Sequence, residues 1–381
     1  MTRATSDRHA PPTDPDGTRP AGLLPFQDLA ELLARGNIHS AVPLEDDQLQ
    51  PASLDLRLGP VAYRVQASFL PGDATVAERL ADLQMHDSLD LGRPCLLERG
   101  CVYIIPLQEE LRLPATLAAK ANPKSTTGRL DIFTRLITDR ATEFDRVPYG
   151  YRGKLFVEVV PRTFSIVVRE GTKLNQLRVF QGRPALSDAA LHELHRDSAL
   201  VLRGEEPTEA NISDGLWVTI DLQGSGADPV GYRARPHGLI DLGRLRHYDP
   251  SEFWEPVYRS RRGSIILNPD DFYILASREQ IRVPPDLAAE MVAYEPPIGE
   301  FRVHYAGFFD PGFGYGEGIY GTRGVLEVRS HEVPFLLEDG QIVARLVYER
   351  LLSTPTRLYG TGIGSSYQHQ GLTLSKQFRA D

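Results

Sequence analysis

Residues 123–129 read PKSTTGR and bring together the kinds of side chain that bind oxyanions in proteins. Lys124 and Arg129 are positively charged. Three hydroxyl residues stand between them: Ser125, Thr126 and Thr127. We call residues 123–129 the anion loop. An exposed turn of the same composition is the alternative interpretation, because Lys, Ser, Thr and Gly are also common in turns.

Two glutamates offer general acid–base chemistry. Glu158 lies in LFVEVV and Glu327 in GVLEVR, so each has apolar neighbours on a predicted strand. A carboxylate that faces the interior from such a strand is either paired with a cation or has a raised pKa. A raised pKa suits a group that moves protons. A glutamate facing outward would be ordinary strand surface, and the pattern leaves both readings open for each residue.

Residues 304–314, HYAGFFDPGFG, form a predicted hairpin in which aromatic residues flank an Asp-Pro-Gly turn. We call them the aromatic hairpin. They suit a flat pocket for a planar ring, with Asp310 available to a sugar hydroxyl. A plain turn with core aromatics is the alternative. The chain ends in YGTGIGSSYQHQGLTLSKQF from residue 359, which predicts either a flexible lid over a ligand or a frayed tail.

The composition limits the class of protein. The chain has 381 residues, 41% hydrophobic and 24% charged, with a net charge of −9, which predicts a globular fold. The acidic balance argues against nucleic-acid partners and an anionic membrane surface, since both select basic faces. No apolar run approaches the roughly 18 residues of a membrane span. Residues 1–21 predict a disordered tail, and the two cysteines, Cys95 and Cys101, fit a reduced cytoplasmic protein.

The elements that carry these residues repeat along the chain. SLDLRLGPVAYRV from residue 53 matches VTIDLQGSGADPVGYRAR from 218, and the runs from Cys95 and from Gly153 match those from Ser264 and from Gly324. Three matches in the same order predict two copies of one domain built from short alternating strands. We place the first copy at residues 22–184, a helical linker at 185–211 and the second copy at 212–381.

The copies differ at the positions that could do chemistry. The first copy has NPKSTTGRLD where the second has EPPIGEFRVH, so an anion site is expected in the first copy alone. The second copy has the Asp-Pro-Gly order, whereas the first has EFDRVPYGYRG at that place. The pattern therefore assigns the anion site to one copy and the ring pocket to the other.

Together these motifs resemble the deoxycytidine triphosphate deaminase branch of the trimeric dUTPase-like superfamily, in its tandem-domain form. QPASLDLRLG resembles the family's opening strand, and PKSTTGR its phosphate motif. AGFFDPGFG followed by GVLE resembles its nucleoside hairpin and catalytic strand, and YGTGIGSSYQHQG its closing segment. The resemblance implies an all-β fold of two tandem dUTPase-like, distorted antiparallel β-barrels of jelly-roll type with a few short helices. It also implies a homo-oligomer with sites at domain or subunit interfaces.

The implied activity is hydrolytic deamination of dCTP to dUTP and ammonia, which feeds dUMP and dTTP synthesis. The resemblance implies no metal at the base, with Mg²⁺ carried on the triphosphate. Glu327 would be the proton shuttle, with Glu158 as its rival. Arg129 would help set the charge of the glutamate. Ser125 and the carbonyl of Ala306 would position the attacking water.

The resemblance also implies the substrate-binding residues, which by motif position are Lys124, Thr126, Thr127, Ala306, Phe309, Asp310, Tyr359 and Gln370. The lysine and Thr126 would hold phosphates, and Asp310 would take the 3′-hydroxyl. Phe308 or Phe309 would reject a 2′-hydroxyl by steric closeness. The C-terminal tyrosine and glutamine would close on the phosphates.

The chain departs from the family pattern at two positions. Lys124 stands in place of an arginine, which keeps the charge and loses the bidentate fork. Ser366 stands where the family has a phosphate-binding lysine. Zinc-dependent deaminases use an H-x-E and P-C-x-x-C signature, and this chain has no C-x-x-C. His192 and His195 in LHELH lack cysteine partners, so we expect linker surface and no zinc.

Two alternatives remain at this stage. A dUTP diphosphatase, or a bifunctional enzyme that forms dUMP, would use the same fold, with an aspartate such as Asp310 acting on the attacking water. A non-catalytic nucleotide sensor would keep the fold without turnover. Product analysis separates all three.

Overall fold

The structure, a computed structural model, describes residues 20–224, 228–236, 238–293, 301–303, 307–316, 320–330, 333–360 and 371–379. Strands dominate, and the helices are short. This confirms the predicted fold class of tandem all-β domains with a few short helices. In the described part of the chain, no helix has the length and apolar character needed to span a membrane. Residues 1–19 lie outside the described ranges, so the disordered tail stays a prediction.

The first copy contains thirteen of the described strands and three helices. The strands are β1 (Gly22–Leu23), β2 (Ile38–Ser40), β3 (Leu54–Arg57), β4 (Val61–Val65), β5 (Leu89–Asp90), β6 (Cys95–Leu97), β7 (Val102–Arg112), β8 (Ala118–Pro123), β9 (Ile132–Thr138), β10 (Arg146–Val147), β11 (Arg152–Pro161), β12 (Ser165–Val168) and β13 (Lys173–Gln181). The helices are α1 (Phe26–Ala34), α2 (Val76–Leu83) and α3 (Ser125–Gly128).

The remaining described elements follow residue 185. The strands are β14 (Val201–Arg203), β15 (Glu206–Pro207), β16 (Leu216–Thr219), β17 (Gly231–Ala234), β18 (Leu239–Asp241), β19 (Trp254–Val257), β20 (Ser264–Leu267), β21 (Phe272–Ile281), β22 (Leu287–Ala293), β23 (Phe301–Val303), β24 (Phe308–Phe309), β25 (Thr322–Ser330), β26 (Phe335–Glu338) and β27 (Ile342–Arg350). The helices are α4 (Asp188–Asp197) and α5 (Pro250–Phe253).

The sheets of the two copies repeat one another. In the first copy β13 pairs with β8 and β3, and in the second β27 pairs with β22 and β16. Strand β7 lies between β4 and β11, as β21 lies between β17 and β25. The antiparallel pair of β6 and β12 corresponds to that of β20 and β26. The sequence repeat is therefore also a repeat of strand pairing.

The segment predicted as a helical linker, residues 185–211, holds one helix and two short strands. Ser187 caps α4 by accepting a hydrogen bond from the backbone N–H of Ala190 at 3.3 Å. Strand β14 then pairs with β21, and Leu191 and Val201 join the core of the second copy. The segment therefore packs as part of the second copy, because its apolar side chains find their partners there.

Strand β25 is buried on both faces. Successive side chains of a strand point to opposite sides of its sheet. Leu326 and Val328 lie in the core of the second copy, whereas Val325 packs into the core of the first copy. On the neighbouring strand β21, Ile274 also joins the first core. The outer face of the β21–β25 pair is thus covered by the other copy.

An aromatic cluster closes the same boundary between the copies. Phe164 of the first copy meets Trp254 of the second at 5.8 Å between ring centres. Phe378, near the C-terminus, packs on Trp254 at 6.0 Å and on Phe253 at 5.5 Å. Edge-on aromatic contacts of this kind add to the burial of large apolar surfaces. The end of the chain is therefore anchored at the junction.

Buried charges join the copies along a second line of contact. Lys120 on β8 forms ion pairs with Glu290 on β22 and, at 2.6 Å, with Glu349 on β27. Asn122 donates a hydrogen bond to Glu290 at 3.1 Å. Although burial acts to raise it, the charge of Lys120 holds the pKa of Glu290 below its usual value. The network fixes one arrangement of the copies, since its members satisfy one another only in that arrangement.

The network predicts a large stability loss for Lys120→Met. Glu290 and Glu349 would lose the cation they share, and breaking a buried ion pair in this way costs about 3–5 kcal/mol. Urea denaturation, monitored by tryptophan fluorescence and circular dichroism, measures the decrease in the free energy of unfolding. Arg35→Met is the matched control, since the Arg35–Glu31 pair is exposed and worth less than about 1 kcal/mol. Equal, small losses in both variants would contradict the network's role.

Candidate active site

Glu327 projects from β25 toward the first copy and is buried, with 6% of its surface exposed. Burial raises the pKa of its carboxyl to about 7, and the positive charge of Arg129 opposes that rise. A carboxyl with this pKa exchanges protons readily near neutral pH, as a general acid–base group must. Glu327 belongs to the second copy and Arg129 to the anion loop of the first, so the two copies build this pair together.

The anion loop is held rigidly on the first copy. It leaves β8 at Pro123 and forms the single helical turn α3. The backbone N–H of Lys124 donates to the carbonyl of Leu174 at 2.9 Å. The Thr127 hydroxyl donates to the same carbonyl at 2.8 Å and is buried. Ser125 is exposed and Thr126 half-buried, so these two hydroxyls stand nearer to solvent.

Acidic and basic side chains gather around Lys124. Its ammonium forms an ion pair with Asp55 of β3, whose carboxyl has its pKa raised mainly by burial, with Lys124 opposing the rise. Lys173 lies nearby and is paired with Asp47 at 2.5 Å. Partial burial and the charge of Lys124 lower the pKa of Lys376, which lies in the C-terminal segment. Three lysines thus converge on one surface, as a polyphosphate site requires.

The aromatic hairpin places Asp310 against this surface. The backbone N–H of Phe313 donates to the carbonyl of Asp310 at 3.0 Å, which closes the predicted Asp-Pro-Gly turn. Gly312 has a φ of 91°, the left-handed value that favours glycine at that turn position. Burial raises the pKa of Asp310, while Arg178 donates to it at 3.2 Å and opposes the rise. Asp55 and Lys124 also influence this carboxyl.

The rings of the hairpin are ordered by neighbours from both copies. The Arg178 guanidinium of β13 lies 4.1 Å from the ring centre of Phe308. Phe309 packs edge-on against Phe313 at 4.9 Å, and Phe313 contacts the ring of Tyr359 at 5.8 Å. Arg178 also donates to the carbonyl of Phe309 at 2.9 Å. A group of aromatic rings therefore stands beside Asp310.

The C-terminal segment, residues 371–379, lies on the anion loop. Arg129 donates to the carbonyl of Thr373 at 2.8 Å. The backbone N–H of Arg246 donates to the carbonyl of Lys376 at 3.0 Å. Because Phe378 is anchored in the aromatic cluster, the segment is held at both ends of its contact with the loop.

Glu158 occupies the equivalent position on β11 of the first copy, in different surroundings. Its carboxylate accepts two hydrogen bonds from Arg135 of β9, at 2.7 and 3.0 Å. The face of the sheet that carries it is covered by α2, whose Val76 and Leu80 pack on the same small core as Ile104. Glu158 is fully buried. Arg135 and α2 therefore take the place that the anion loop and the other copy take around Glu327.

The structure brings together most of the predicted site residues. Glu327, Arg129, Lys124 and Asp310 meet at the boundary of the copies, and Tyr359 borders the aromatic hairpin. Ala306 and Gln370 lie outside the described residues. The Thr127 hydroxyl donates to the carbonyl of Leu174 on β13. No observation tests these assignments with a bound substrate, so they stay predictions.

The histidines of α4 lie apart from this site. Nδ1 of His195 accepts a hydrogen bond from the backbone N–H of Leu200 at 3.2 Å, and His192 is exposed. Within the described ranges, no three His, Cys, Asp or Glu side chains are grouped closely enough to hold a metal ion.

Sequence reasoning missed several residues that the structure brings to the site: Asp55, Asp131, Arg178, Arg329 and Lys376. A signal was present for two of them. Arg178 in LRVF and Arg329 in LEVR are charged residues among apolar strand neighbours, which is the pattern that singled out the two glutamates. Only the fold shows which of these charges face one another.

The raised pKa of Glu327 predicts a pH-dependent gain in stability for Glu327→Gln. Folded Glu327 keeps its proton up to about pH 7, whereas the unfolded carboxyl releases its proton near pH 4.5. The loss of folding stability caused by burying this carboxyl therefore grows across that interval and is complete above it. Urea denaturation should show a gain of up to about 3 kcal/mol at pH 8 that disappears at pH 4. Glu158→Gln is the matched control and should lose stability, because it breaks a buried ion pair. An equal gain at both pH values for Glu327→Gln would contradict this.

Comparison with known proteins identifies the family. The model of the 2′-deoxycytidine 5′-triphosphate deaminase N-terminal domain matches residues 20–183, and that of its C-terminal domain matches residues 187–378. A crystal structure of 2′-deoxycytidine 5′-triphosphate deaminase from Agrobacterium tumefaciens is similar, with a TM-score of 0.84 and 50% sequence identity. The match covers 88% of this chain and all of that one.

Curated relatives agree with the family models. A dCTP deaminase, dUMP-forming, of Halobacterium salinarum is 34% identical over 120 residues, which is 30% of this chain and 57% of that protein. A dCTP deaminase of Halorubrum lacusprofundi is 28% identical over 159 residues, 41% of this chain and 75% of that protein. The aligned stretch thus spans little more than half of the Halobacterium protein's length. The family expected from the motifs is confirmed: the chain belongs to the 2′-deoxycytidine 5′-triphosphate deaminases, in their tandem-domain form.

Proposed function

We propose that the protein deaminates dCTP to dUTP and ammonia at the boundary between its two copies, with Glu327 as the proton shuttle. The observation that carries the proposal is the buried Glu327 carboxyl, whose pKa burial raises to about 7 beside Arg129 of the anion loop. The equivalent Glu158 is held by Arg135 under α2. Of the two glutamates, Glu327 is the one beside the anion loop, which supports this choice.

The reaction needs one group that both accepts and returns protons. Ionised Glu327 takes a proton from water as the water oxygen bonds to C4 of cytosine, and it passes that proton to N3. The new C4 hydroxyl then gives its proton, through the same carboxylate, to the amino nitrogen. The C4–N bond breaks and ammonia leaves, so N3–H and C4=O of uracil remain. Arg129 keeps the carboxylate form accessible by opposing the effect of burial.

The surrounding residues account for the rest of the nucleotide. Lys124, with Thr126 and the missed Lys376, is assigned to the triphosphate, which arrives as its Mg²⁺ complex. Ser125 is assigned to the attacking water and Asp310 to the 3′-hydroxyl. The ring of Phe308 or Phe309 excludes a 2′-hydroxyl. A cytoplasmic location and a homo-oligomer remain predictions that accompany this proposal.

Formation of dUMP is the second candidate, and the name of the Halobacterium relative favours testing it. That reaction needs water to attack a phosphorus. Purified protein incubated with dCTP and Mg²⁺ should release ammonia in step with dUTP. Pyrophosphate and dUMP in equal amounts would show the bifunctional reaction, and no turnover of dCTP or dUTP would show a nucleotide sensor.

We expect Glu327→Gln to lower the turnover number strongly while leaving nucleotide binding intact. Loss of a general acid–base group lowers the turnover number by about 10²–10⁴-fold, and glutamine keeps the shape of the side chain. Ammonia release gives the rate, and titration calorimetry with dCTP gives the affinity. Glu158→Gln should keep most of its turnover. The reverse pattern would move the proton shuttle to Glu158, and full activity in both variants would remove the mechanism.

The assignment of Asp310 predicts the response to a substrate without a 3′-hydroxyl. Because a hydrogen bond to a charged group is lost, kcat/KM of the unmodified protein should be about 10–100-fold lower for 2′,3′-dideoxy-CTP than for dCTP. Asp310→Asn should narrow this difference. A dideoxy substrate used as well as dCTP would show that Asp310 does not hold the sugar.

A further inference from the structure

Glu327 is not the only charged residue of β25 that faces the first copy. The residue two places further along the strand points the same way. Arg329 is 4% exposed, and both side chains lie on the outer face of the β21–β25 sheet. Opposite them, the first copy presents Arg129 and Asp131, which are also two residues apart and buried. The charges are therefore crossed, with an acid opposite a base at each place.

The Asp131–Arg329 contact is surrounded by further hydrogen bonds. The Arg329 guanidinium forms an ion pair with the Asp131 carboxylate. Thr163 of the first copy donates to the same carboxylate oxygen at 2.6 Å and accepts a hydrogen bond from Arg329 at 3.1 Å. Arg329 also donates to the carbonyl of Asp270. A buried, charge-assisted group with this many bonds fixes direction as well as distance.

The backbone passes this constraint to Arg129. Asp131 has a φ of 53°, in the left-handed region that aspartate tolerates better than most residues. Its N–H donates to the carbonyl of Gly128 at 2.9 Å, which closes the end of the anion loop. The loop end and Asp131 therefore move as one unit. Misplacement of a catalytic neighbour by about 1 Å can cost about 100-fold in rate.

The internal repeat shows that this arrangement is specific to one glutamate. Two residues after Glu158 the first copy has Val160, and the cation at Glu158 is Arg135 of the adjacent strand. A pair within one sheet needs no second contact to hold it. Arg129 reaches Glu327 across the boundary between copies, so its position depends on how the loop docks.

We propose that the Asp131–Arg329–Thr163 group is a positioning device that docks the anion loop on β25 and so holds Arg129 against Glu327. This inference rests on the proposed function for its effect on turnover. The effect of this group on the protonation of Glu327 does not depend on the proposed function, because it can be measured on the folded protein without substrate. Asp131 and Arg329 act through Arg129 and are not catalytic residues.

The first test measures stability against pH and does not require turnover of dCTP. Among the described residues, Arg129 is the charged group whose effect on Glu327 is resolved, and its charge favours the ionised form. If Arg329→Met lets Arg129 recede, Glu327 should hold its proton to higher pH. The pH at which the stability gain of Glu327→Gln stops growing is set by the folded pKa of Glu327. That pH should then rise by about one unit in the Arg329→Met background, the effect of weakening one close charge. An unmoved plateau pH would overturn the proposal.

The second test uses turnover of dCTP in Asp131→Asn, Arg329→Met and Arg329→Lys. We expect the first two to lower kcat about 10–100-fold with little change in KM, since the phosphate and sugar contacts remain. The acid limb of kcat should move to higher pH, because a more basic Glu327 ionises later. Arg329→Lys should recover part of both changes.

Arg169→Met is the matched control, since Arg169 forms another ion pair between the copies, with Asp241 at 2.6 Å. It should affect stability and leave kcat and its acid limb unchanged. Lower thermal stability with an unmoved acid limb in Arg329→Met would reduce the group to a structural role and overturn the proposal. If the unmodified protein does not turn over dCTP, the proposed function fails, and the pH at which the stability gain of Glu327→Gln levels off still decides this inference.

Discussion

The chemistry of this protein depends on one burial event, the covering of the outer face of β25 by the other copy. An exposed strand glutamate would titrate near its ordinary pKa and would be ionised at neutral pH. Packing Val325 and Ile274 into the first core removes water from that face and leaves Glu327 with a pKa of about 7. The same contact brings Arg129 close enough to limit the rise. The packing of the two copies and the proposed acid–base role of Glu327 therefore depend on the same contact.

The two copies keep the same strand pairing and divide the chemistry between them. The first supplies the anion loop and the basic surface around Lys124, and the second supplies Glu327 and the aromatic hairpin. Neither half assembles the site alone, because each lacks the other's charges. In the first copy, α2 and Arg135 fill the space next to Glu158. In the described part of the chain, the duplicated fold thus has a candidate site with residues from both copies, whereas Glu158 is buried within the first copy.

Much of this was readable from the chain. The order of three matching runs predicted two all-β copies, because strand alternation and turn residues survive where exact sequence does not. The anion loop, the Asp-Pro-Gly turn and both glutamates were recognised by residue type and spacing. Residue type left the choice between Glu327 and Glu158 open, since both have apolar neighbours, and only the family resemblance favoured Glu327. Their difference comes from Arg135 on one side and Arg129 on the other, which are respectively 23 and 198 positions from them.

The sequence by itself determined the local elements, the repeat and the set of chemically capable side chains, since these follow from patterns within about ten residues. Tertiary structure alone decided which charges meet. Lys120 with Glu290, Arg178 with Asp310 and Arg329 with Asp131 join residues more than a hundred positions apart. Desolvation and charge pairing depend on distance in space, and no local pattern contains that distance. For this reason the chain reveals its family, whereas the protonation of its central glutamate appears only once the copies are packed together.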